Sequence, residues 1–315
     1  MQRSPFFEGV TQMDATLIGQ TVKLPIFYYG GTSIGAVFPA SLARLRRLMP
    51  DPRIRPARLV PGVGALAITC FEYADTDIGP YNELAISVLL CEPPHVVNLP
   101  ARAIVSGLRS RQLHAWVHHL PVTTEIALAG GVELYNYPKF IAAIDYEQSA
   151  ARRTCTLAQG AEHILTLQGD LIETPRSERF QLFSHLWMDR QPQSSEFQIN
   201  ARAMGVSFDP RRASLQLGSR HPIARELDAL LISRRPLQYQ YIRSFEGILY
   251  GPEHLSLPLI ERFRRRLAEG EGEGEGDGAE SAAPAGGDGA ESAAAAGGGG
   301  NGALARDAAE SRARR

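Results

Sequence analysis

Lysine is the residue that this sequence most nearly lacks. Of the 33 basic residues, only Lys23 and Lys139 are lysine, and all the others are arginine. Arginine keeps the charge of a lysine but offers no free amine, whereas a buried lysine can lose its proton and attack a carbonyl group. A lysine kept in a chain that otherwise uses arginine is therefore a candidate nucleophile.

Cysteines, basic excess and long apolar runs are also scarce. Cys70, Cys91 and Cys155 are odd in number, widely spaced and form no metal-ligand pattern, which favours a reducing compartment. The net charge of -1 would attract neither nucleic acid nor an anionic membrane. No apolar run is long enough to span a membrane, and the N-terminus lacks the apolar core of a signal peptide. We expect a cytoplasmic protein that binds neither nucleic acid nor membranes.

The composition changes sharply after Leu267. Residues 268–315 are rich in Gly, Ala and Glu, and they hold too few apolar side chains to offset the entropy lost on ordering. We predict that this tail is disordered. Residues 1–267 are enough for one large domain, and they show no internal boundary.

The pattern within residues 1–267 predicts an α+β fold that is mainly β, with an antiparallel β-rich core and a few short helices. Two buried runs, Ala65–Tyr73 and Glu83–Cys91, flank a polar turn and predict a hairpin. Short helices are predicted from apolar periodicity and from capping and breaking residues at Pro39–Met49, Thr123–Ala129 (closing at Gly130-Gly131), Pro222–Ile232 and Pro258–Leu267. The other strands are predicted at Thr21–Phe38 (broken by a turn at Gly30-Gly31), Leu113–His119, Phe140–Tyr146, Thr154–Leu157, His163–Leu171, Arg179–Met188, Glu196–Phe208 and Pro236–Tyr250.

Lys139 lies between Tyr137-Pro138 and an apolar strand that starts at Phe140. This setting would draw its amine toward the core, where desolvation disfavours the charged form and makes a lysine nucleophilic at neutral pH. The alternative is a lysine whose stem lies on apolar surface while its ammonium stays in water. The local sequence does not decide between the two.

Glu83 opens an otherwise apolar strand. A carboxylate buried there needs a partner, because unpaired burial is expensive; a glutamate in water at the end of a strand is the alternative. A lysine amine and one carboxylate in a closed apolar pocket would suit the proton transfers of carbinolamine and iminium chemistry. We therefore consider Glu83 together with Lys139.

Three segments in this order and spacing resemble the acetoacetate decarboxylase superfamily: Gly79-Pro-Tyr-Asn-Glu83, Ala129-Gly-Gly-Val-Glu-Leu134 and Tyr137-Pro-Lys139. Weaker blocks extend the match over essentially all of the chain before the tail. The resemblance implies a double-sheet or barrel fold of that type, with Lys139 as the Schiff-base lysine and Glu83 as the active-site glutamate. We expect Tyr81, Tyr137 and Phe140 in the substrate pocket.

The resemblance further implies a carbon–carbon lyase that needs no cofactor and forms a homo-oligomer, as its relatives do. In the family's reaction, a lysine amine condenses with a β-keto acid. The protonated imine accepts the electron pair that is released as carbon dioxide leaves, and hydrolysis then frees the ketone.

Three positions depart from the family pattern. Phe140 stands where the authentic decarboxylases carry a second lysine, while the family's arginine and a further glutamate fall at Gly31 and Ile68. These replacements favour a β-keto acid that is larger or less polar than acetoacetate. They leave open an aldolase-dehydratase that acts on pyruvate-like compounds through the same imine, and a small-molecule binding protein that has kept the pocket without catalysis.

His118 and His119 are the other residues that could ligate an ion. Neighbouring side chains on a strand point to opposite faces, so one ion cannot easily bind both. We interpret the pair as one core and one surface residue, and the sequence predicts no metal site. Lys23 has no matching family role and is expected to be exposed.

Overall fold

The computed structural model describes residues 4–91, 111–172, 176–188 and 191–251. The predicted helix at Pro258–Leu267 and the predicted disordered tail, 268–315, lie outside these residues. The α-helices within them are α1 (Leu42–Arg47), α2 (Glu125–Tyr135) and α3 (Pro222–Leu230), and a 3-10 helix covers Pro5–Phe7. None of these helices is long and apolar enough to cross a membrane.

The strands follow one another along the chain as β1 (Met13–Leu17), β2 (Gln20–Leu24), β3 (Ile26–Ser41), β4 (Arg58–Val60), β5 (Val63–Thr76), β6 (Tyr81–Leu89), β7 (Gln112–Val122), β8 (Lys139–Ile141), β9 (Ala143–Gln148), β10 (Arg152–Gln159), β11 (Glu162–Asp170), β12 (Arg176–Met188), β13 (Gln191–Ser207), β14 (Ala213–Leu217) and β15 (Gln238–Leu249).

Seven of these strands form a closed barrel in the order β12-β13-β15-β3-β5-β6-β7. Parallel pairing between β7 and β12, with Gln112 opposite Gln181, closes the ring. The short strand β8 pairs with β7, while β14-β11-β10-β9 form a second sheet and β1-β2 a separate hairpin. The predicted α+β fold, mainly β with a few short helices, is confirmed.

Alternation along the barrel strands divides the apolar residues between two cores. On β5, Ile68 and Cys70 face a core that they share with the four-stranded sheet and α3. Phe71 and Tyr73 point the other way, into a barrel interior rich in aromatic residues. The predicted hairpin is the β5–β6 pair, in which Cys70 lies opposite Leu84. Whether a residue faces the barrel interior therefore depends on its place in the alternation of side chains along the strand.

Two glycine pairs do not break the chain as predicted. Strand β3 continues through Gly30-Gly31 with irregular register, and at Gly31 an added Cβ would lie 2.8 Å from a ring carbon of Phe245. Helix α2 continues through Gly130-Gly131 to Tyr135, so the predicted end at these glycines is wrong. Both pairs include a glycine that allows a close side-chain approach, and neither pair forms a turn.

Other predicted elements differ in extent. Helix α1 is shorter than predicted because Pro39 to Ser41 extend β3. The predicted strand Phe140–Tyr146 is divided between β8, which pairs with β7, and β9, which belongs to the second sheet. The sequence pattern predicts no separate β1-β2 hairpin before β3. It also predicts neither β4 nor β14, which are only 3 and 5 residues long.

The interpretation of His118 and His119 as a core and a surface residue is wrong. Ile86 on β6 lies opposite His119, but the next residue, Ser87, lies opposite Val117, so His118 is an extra residue in β7. Such a β-bulge interrupts the alternation of side chains. Both imidazoles therefore reach the same carboxylate, that of Glu226 on α3.

Candidate active site

Lys139 is positioned by the turn that follows helix α2. Asn136 ends the helix in the left-handed conformation, with a φ of 51°, and its side chain donates a hydrogen bond to the carbonyl of Trp187. Asparagine tolerates this conformation better than most residues. The backbone N–H of Tyr137 donates to the Gly131 carbonyl, and the turn leads directly into β8, where Lys139 pairs with Leu120.

The stem of Lys139 runs across helix α2 at Gly131. A Cβ added to Gly131 would fall well inside contact distance of Cδ and Cε of Lys139. The absence of a side chain at this helical position therefore lets the lysine reach across the helix into the barrel.

The Lys139 amine meets Glu83 inside the protein. Nζ of Lys139 donates a hydrogen bond of 2.8 Å to Oε2 of Glu83, and the two side chains are only 7% and 11% exposed. The Tyr73 hydroxyl donates to the other carboxylate oxygen at 3.2 Å. For each residue the sequence left two alternatives, burial with a partner or exposure to water. In the structure, Lys139 and Glu83 are both buried and paired with each other.

Three tyrosines of the barrel interior surround this ion pair. The hydroxyls of Tyr28 and Tyr81 are 3.0 Å apart, and the Tyr81 ring centroid is 5.8 Å from Nζ of Lys139. Burial, with the Glu83 charge as a further cause, holds the pKa of Tyr28, Tyr73 and Tyr81 well above the ordinary value. All three hydroxyls therefore keep their protons at neutral pH and can act as hydrogen-bond donors.

Tyr135 and Tyr137, at and just after the end of helix α2, pack against each other. Their rings are nearly parallel, with centroids 5.3 Å apart. The Tyr137 hydroxyl lies 2.6 Å from that of Ser195, and burial raises the pKa of Tyr137 to about 12. The Tyr135 hydroxyl is buried and, within the described residues, has no hydrogen-bond partner. Tyr135 was not among the predicted site residues, although it lies one helical turn after Gly131 and so on the same face of α2.

A small cavity lies between α2, the β1-β2 hairpin and the barrel. Its volume of about 20 Å³ is enough for about one water molecule. Among the described residues that line it, Lys139 is the one charged residue, and four tyrosines supply the other polar side chains. The lining residues are Leu17, Val22, Ile26, Tyr28, Ile78, Tyr81, Ile126, Ala127, Gly130, Gly131, Leu134, Tyr135, Tyr137, Lys139 and Leu249.

The sequence model for acetoacetate decarboxylase (ADC) matches residues 15–244, a range that contains Lys139, Glu83 and the five tyrosines described above. The chain belongs to the acetoacetate decarboxylase family. The family match points to a lyase-type enzyme. No curated protein sequence matches the chain significantly.

Solved structures of acetoacetate-decarboxylase-like proteins share the fold. An acetoacetate decarboxylase from Legionella pneumophila subsp. pneumophila str. Philadelphia 1 aligns with a TM-score of 0.51 and 13% identity, covering 72% of this chain and 86% of its own. The enduracididine biosynthesis enzyme MppR, complexed with the condensation product of pyruvate and imidazole 4-carboxaldehyde, aligns with a TM-score of 0.51 and 13% identity, covering 79% and 93%.

Of the residues predicted in the pocket of this acetoacetate decarboxylase family member, Tyr81 and Tyr137 line the cavity and Phe140 does not. Phe140 packs against the core that the barrel shares with the four-stranded sheet. Because it follows Lys139 on β8, it points to the opposite face of the strand.

Ile68 and Gly31, the other two positions that depart from the acetoacetate decarboxylase family pattern, also lie in apolar surroundings. Ile68 is fully buried in the shared core, and Phe245 occupies the space beside Gly31. Lys23 is exposed on β2, as expected. Within the part of the chain that the structure describes, the lining of the cavity contains no cation besides Lys139.

Proposed function

We propose that this protein is a Schiff-base-forming lyase that decarboxylates a β-keto acid through an imine on Lys139. One observation carries the proposal: a buried amine, 2.8 Å from a buried carboxylate, lies beside an otherwise apolar and aromatic cavity. The amine is a carbonyl nucleophile once it is deprotonated, and the carboxylate is its direct proton acceptor.

The first steps of the reaction use the Lys139 and Glu83 pair. Glu83 takes a proton from the ammonium, and the free amine attacks the ketone carbon to form a carbinolamine. Glu83 then returns a proton to the carbinolamine hydroxyl, which leaves as water and yields the iminium. Tyr73 holds the second oxygen of Glu83 throughout, which keeps the carboxylate directed at Nζ.

The next steps break the carbon–carbon bond. The electron pair of the bond to the carboxylate moves into the iminium, carbon dioxide departs, and an enamine remains. Protonation of the enamine carbon and attack by water release the ketone and restore the amine. An apolar cavity favours the loss of carbon dioxide, because the localised carboxylate charge of the substrate is poorly solvated there and disappears as the carbon–carbon bond breaks.

The cavity lining supports the proposed substrate class. A β-keto acid with an apolar substituent larger than the methyl group of acetoacetate would place that substituent against Leu17, Val22 and Leu249. A cavity with room for about one water molecule must widen as such a substrate enters.

A second candidate is aldol condensation and dehydration of a pyruvate-like compound. The same iminium can lose an α-proton to give an enamine, which then attacks an aldehyde. Support comes from the shared fold with MppR, whose structure contains a condensation product of pyruvate and an aldehyde.

Borohydride trapping tests the imine. Incubation with a series of β-keto acids and borohydride should give a reduced adduct, located by peptide mass on Lys139, together with release of carbon dioxide. Lys139→Arg should abolish both, because the guanidinium offers no free amine. Lys23→Arg, which changes the other lysine, is the matched control and should leave both unchanged.

The alternative outcomes are distinct. An adduct on Lys139 with pyruvate, and condensation products without carbon dioxide, would favour the aldolase-dehydratase. No adduct on Lys139 with any carbonyl compound would overturn both enzyme proposals and leave a small-molecule binding protein.

A further inference from the structure

A cluster of His118, His119 and Glu226 lies outside the proposed catalytic cavity. Nε2 of His118 is 3.0 Å from Oε1 of Glu226, and Nε2 of His119 is 2.7 Å from Oε2. None of the three residues lines the cavity around Lys139. The proposed imine chemistry leaves the cluster without a role.

The backbone brings these side chains together from two separate elements. The bulge at His118 in β7 directs two consecutive imidazoles to one side, with ring centroids 4.2 Å apart. Glu226 comes from the middle of α3, whose residues Ala224, Leu227 and Leu230 are buried. Both supporting elements are anchored in the core, so the three side chains start from fixed positions.

The chemistry of the cluster is that of a metal ligand set. Two imidazole nitrogens and a carboxylate are a common protein ligand set for Zn²⁺, with a remaining position for water. Each residue offers one ligand atom, and these atoms all lie within 4.8 Å of one another. In tetrahedral coordination around Zn²⁺, the ligand atoms lie about 3.3 Å apart from one another. Modest side-chain rotations would therefore bring the three ligand atoms into this geometry.

The exposure of the cluster also suits ion binding. The side chains of His118, His119 and Glu226 are 17%, 20% and 34% exposed. An ion could therefore enter from solvent and keep a bound water, while the three ligands stay largely fixed by their surroundings.

We infer that His118, His119 and Glu226 bind one divalent transition-metal ion of the Zn²⁺ class and that this ion links α3 to the barrel strand β7. Imidazole ligands favour Zn²⁺ and its neighbours over Mg²⁺ and Ca²⁺, which prefer oxygen ligands. The site is separate from the proposed Schiff base, so either inference can fail without the other.

Zn²⁺ titration of the full, tag-free chain tests the site. After treatment with a chelator and its removal, the protein should take one Zn²⁺ per chain in competition with a chromophoric chelator. His119→Gln and Glu226→Gln should each weaken binding by about tenfold or more, because each removes one of three ligands. His163→Gln is the matched control. His163 contacts Thr166 on β11, away from the cluster, so this substitution should leave the Zn²⁺ affinity unchanged.

Thermal unfolding of the same proteins gives a second readout. Zn²⁺ should raise the melting temperature of the native chain and of His163→Gln, because it binds the folded state, and should raise that of Glu226→Gln less at the same Zn²⁺ concentration. The inference is overturned if the native chain binds Zn²⁺ no more tightly than His119→Gln does. It is also overturned if Zn²⁺ stabilises none of these proteins, since the cluster would then be only a set of hydrogen bonds.

Discussion

The position of the Lys139 amine depends on a side chain that is absent. Gly131 lies within helix α2, where glycine is about 1 kcal/mol less favourable than alanine. The lysine stem occupies the space that a Cβ would fill. The helix therefore gives up some intrinsic stability at a position that keeps the amine beside Glu83.

Gly131→Ala should separate folding from chemistry. Alanine favours the helix, but its methyl group would displace Cδ and Cε of Lys139 and move Nζ away from Glu83. Misplacement of a reacting group by about 1 Å can cost about 100-fold in rate, and we expect a loss of that order in borohydride trapping. The measurement is the trapping rate, together with circular dichroism to check the fold.

Gly30→Ala is the control for this substitution. An added Cβ at Gly30 meets no heavy atom within 4 Å, so trapping should continue at the native rate. Native trapping by Gly131→Ala would show that the lysine stem does not need this space.

At the scale of elements, the β1-β2 hairpin covers the cavity. Within the described residues it forms its own two-stranded sheet, and its apolar residues pack against Ile126 and Ala129 of α2. Leu17 and Val22 of the hairpin line the cavity. The hairpin and α2 together therefore determine how much space a substrate substituent can occupy beside Lys139.

Leu17→Ala should widen the range of substrates. Removing the buried side chain enlarges the cavity and destabilises the fold by about 2 to 5 kcal/mol. We expect the ratio of trapping rates for a long-chain over a short-chain β-keto acid to rise. Met13→Ala, at an exposed position of the same hairpin, is the control and should leave the ratio unchanged. An unchanged ratio in Leu17→Ala would mean that the hairpin does not limit substrate size.

At the scale of the whole molecule, the closed barrel buries an unusual group of tyrosines. Tyr28, Tyr73 and Tyr81 face its interior, and Tyr135 and Tyr137 pack beside it. Burial disfavours each phenolate, so the folded protein retains protons that the unfolded chain loses at high pH. The same burial that keeps these donors protonated makes the fold sensitive to alkali. Whether the barrel assembles into the expected homo-oligomer stays a prediction.

The free energy of unfolding should fall as the pH rises above about 10. Burial raises the pKa of Tyr137 from 10.0 to about 12, so its contribution is fully present below pH 10 and is lost as the pH rises through this window. A shift of this size corresponds to about 3 kcal/mol. Urea unfolding across this range should show a shallower pH dependence for Tyr137→Phe than for the native chain. Equal slopes would contradict the prediction.

Much of the architecture and the two central site residues could be predicted without the structure. Alternation and turn residues identified the β5–β6 hairpin, and a predominantly antiparallel β core followed from the order of apolar runs. Lys139 stood out because the chain uses arginine almost everywhere else, and Glu83 because it opens an apolar strand. These signals are local, and they need no knowledge of which strands pair.

Only the tertiary structure decided which side chains meet. Glu83 and Lys139 are 56 positions apart, and their contact depends on the pairing of β6 and β8 with β7 and on the turn at Asn136. The bulge that unites His118 and His119 arises from the pairing of β7 with β6. The amino-acid sequence by itself determined most of the strands, the candidate amine and its carboxylate. Register, bulges and close glycine contacts decided the rest, because each depends on a partner element distant along the chain.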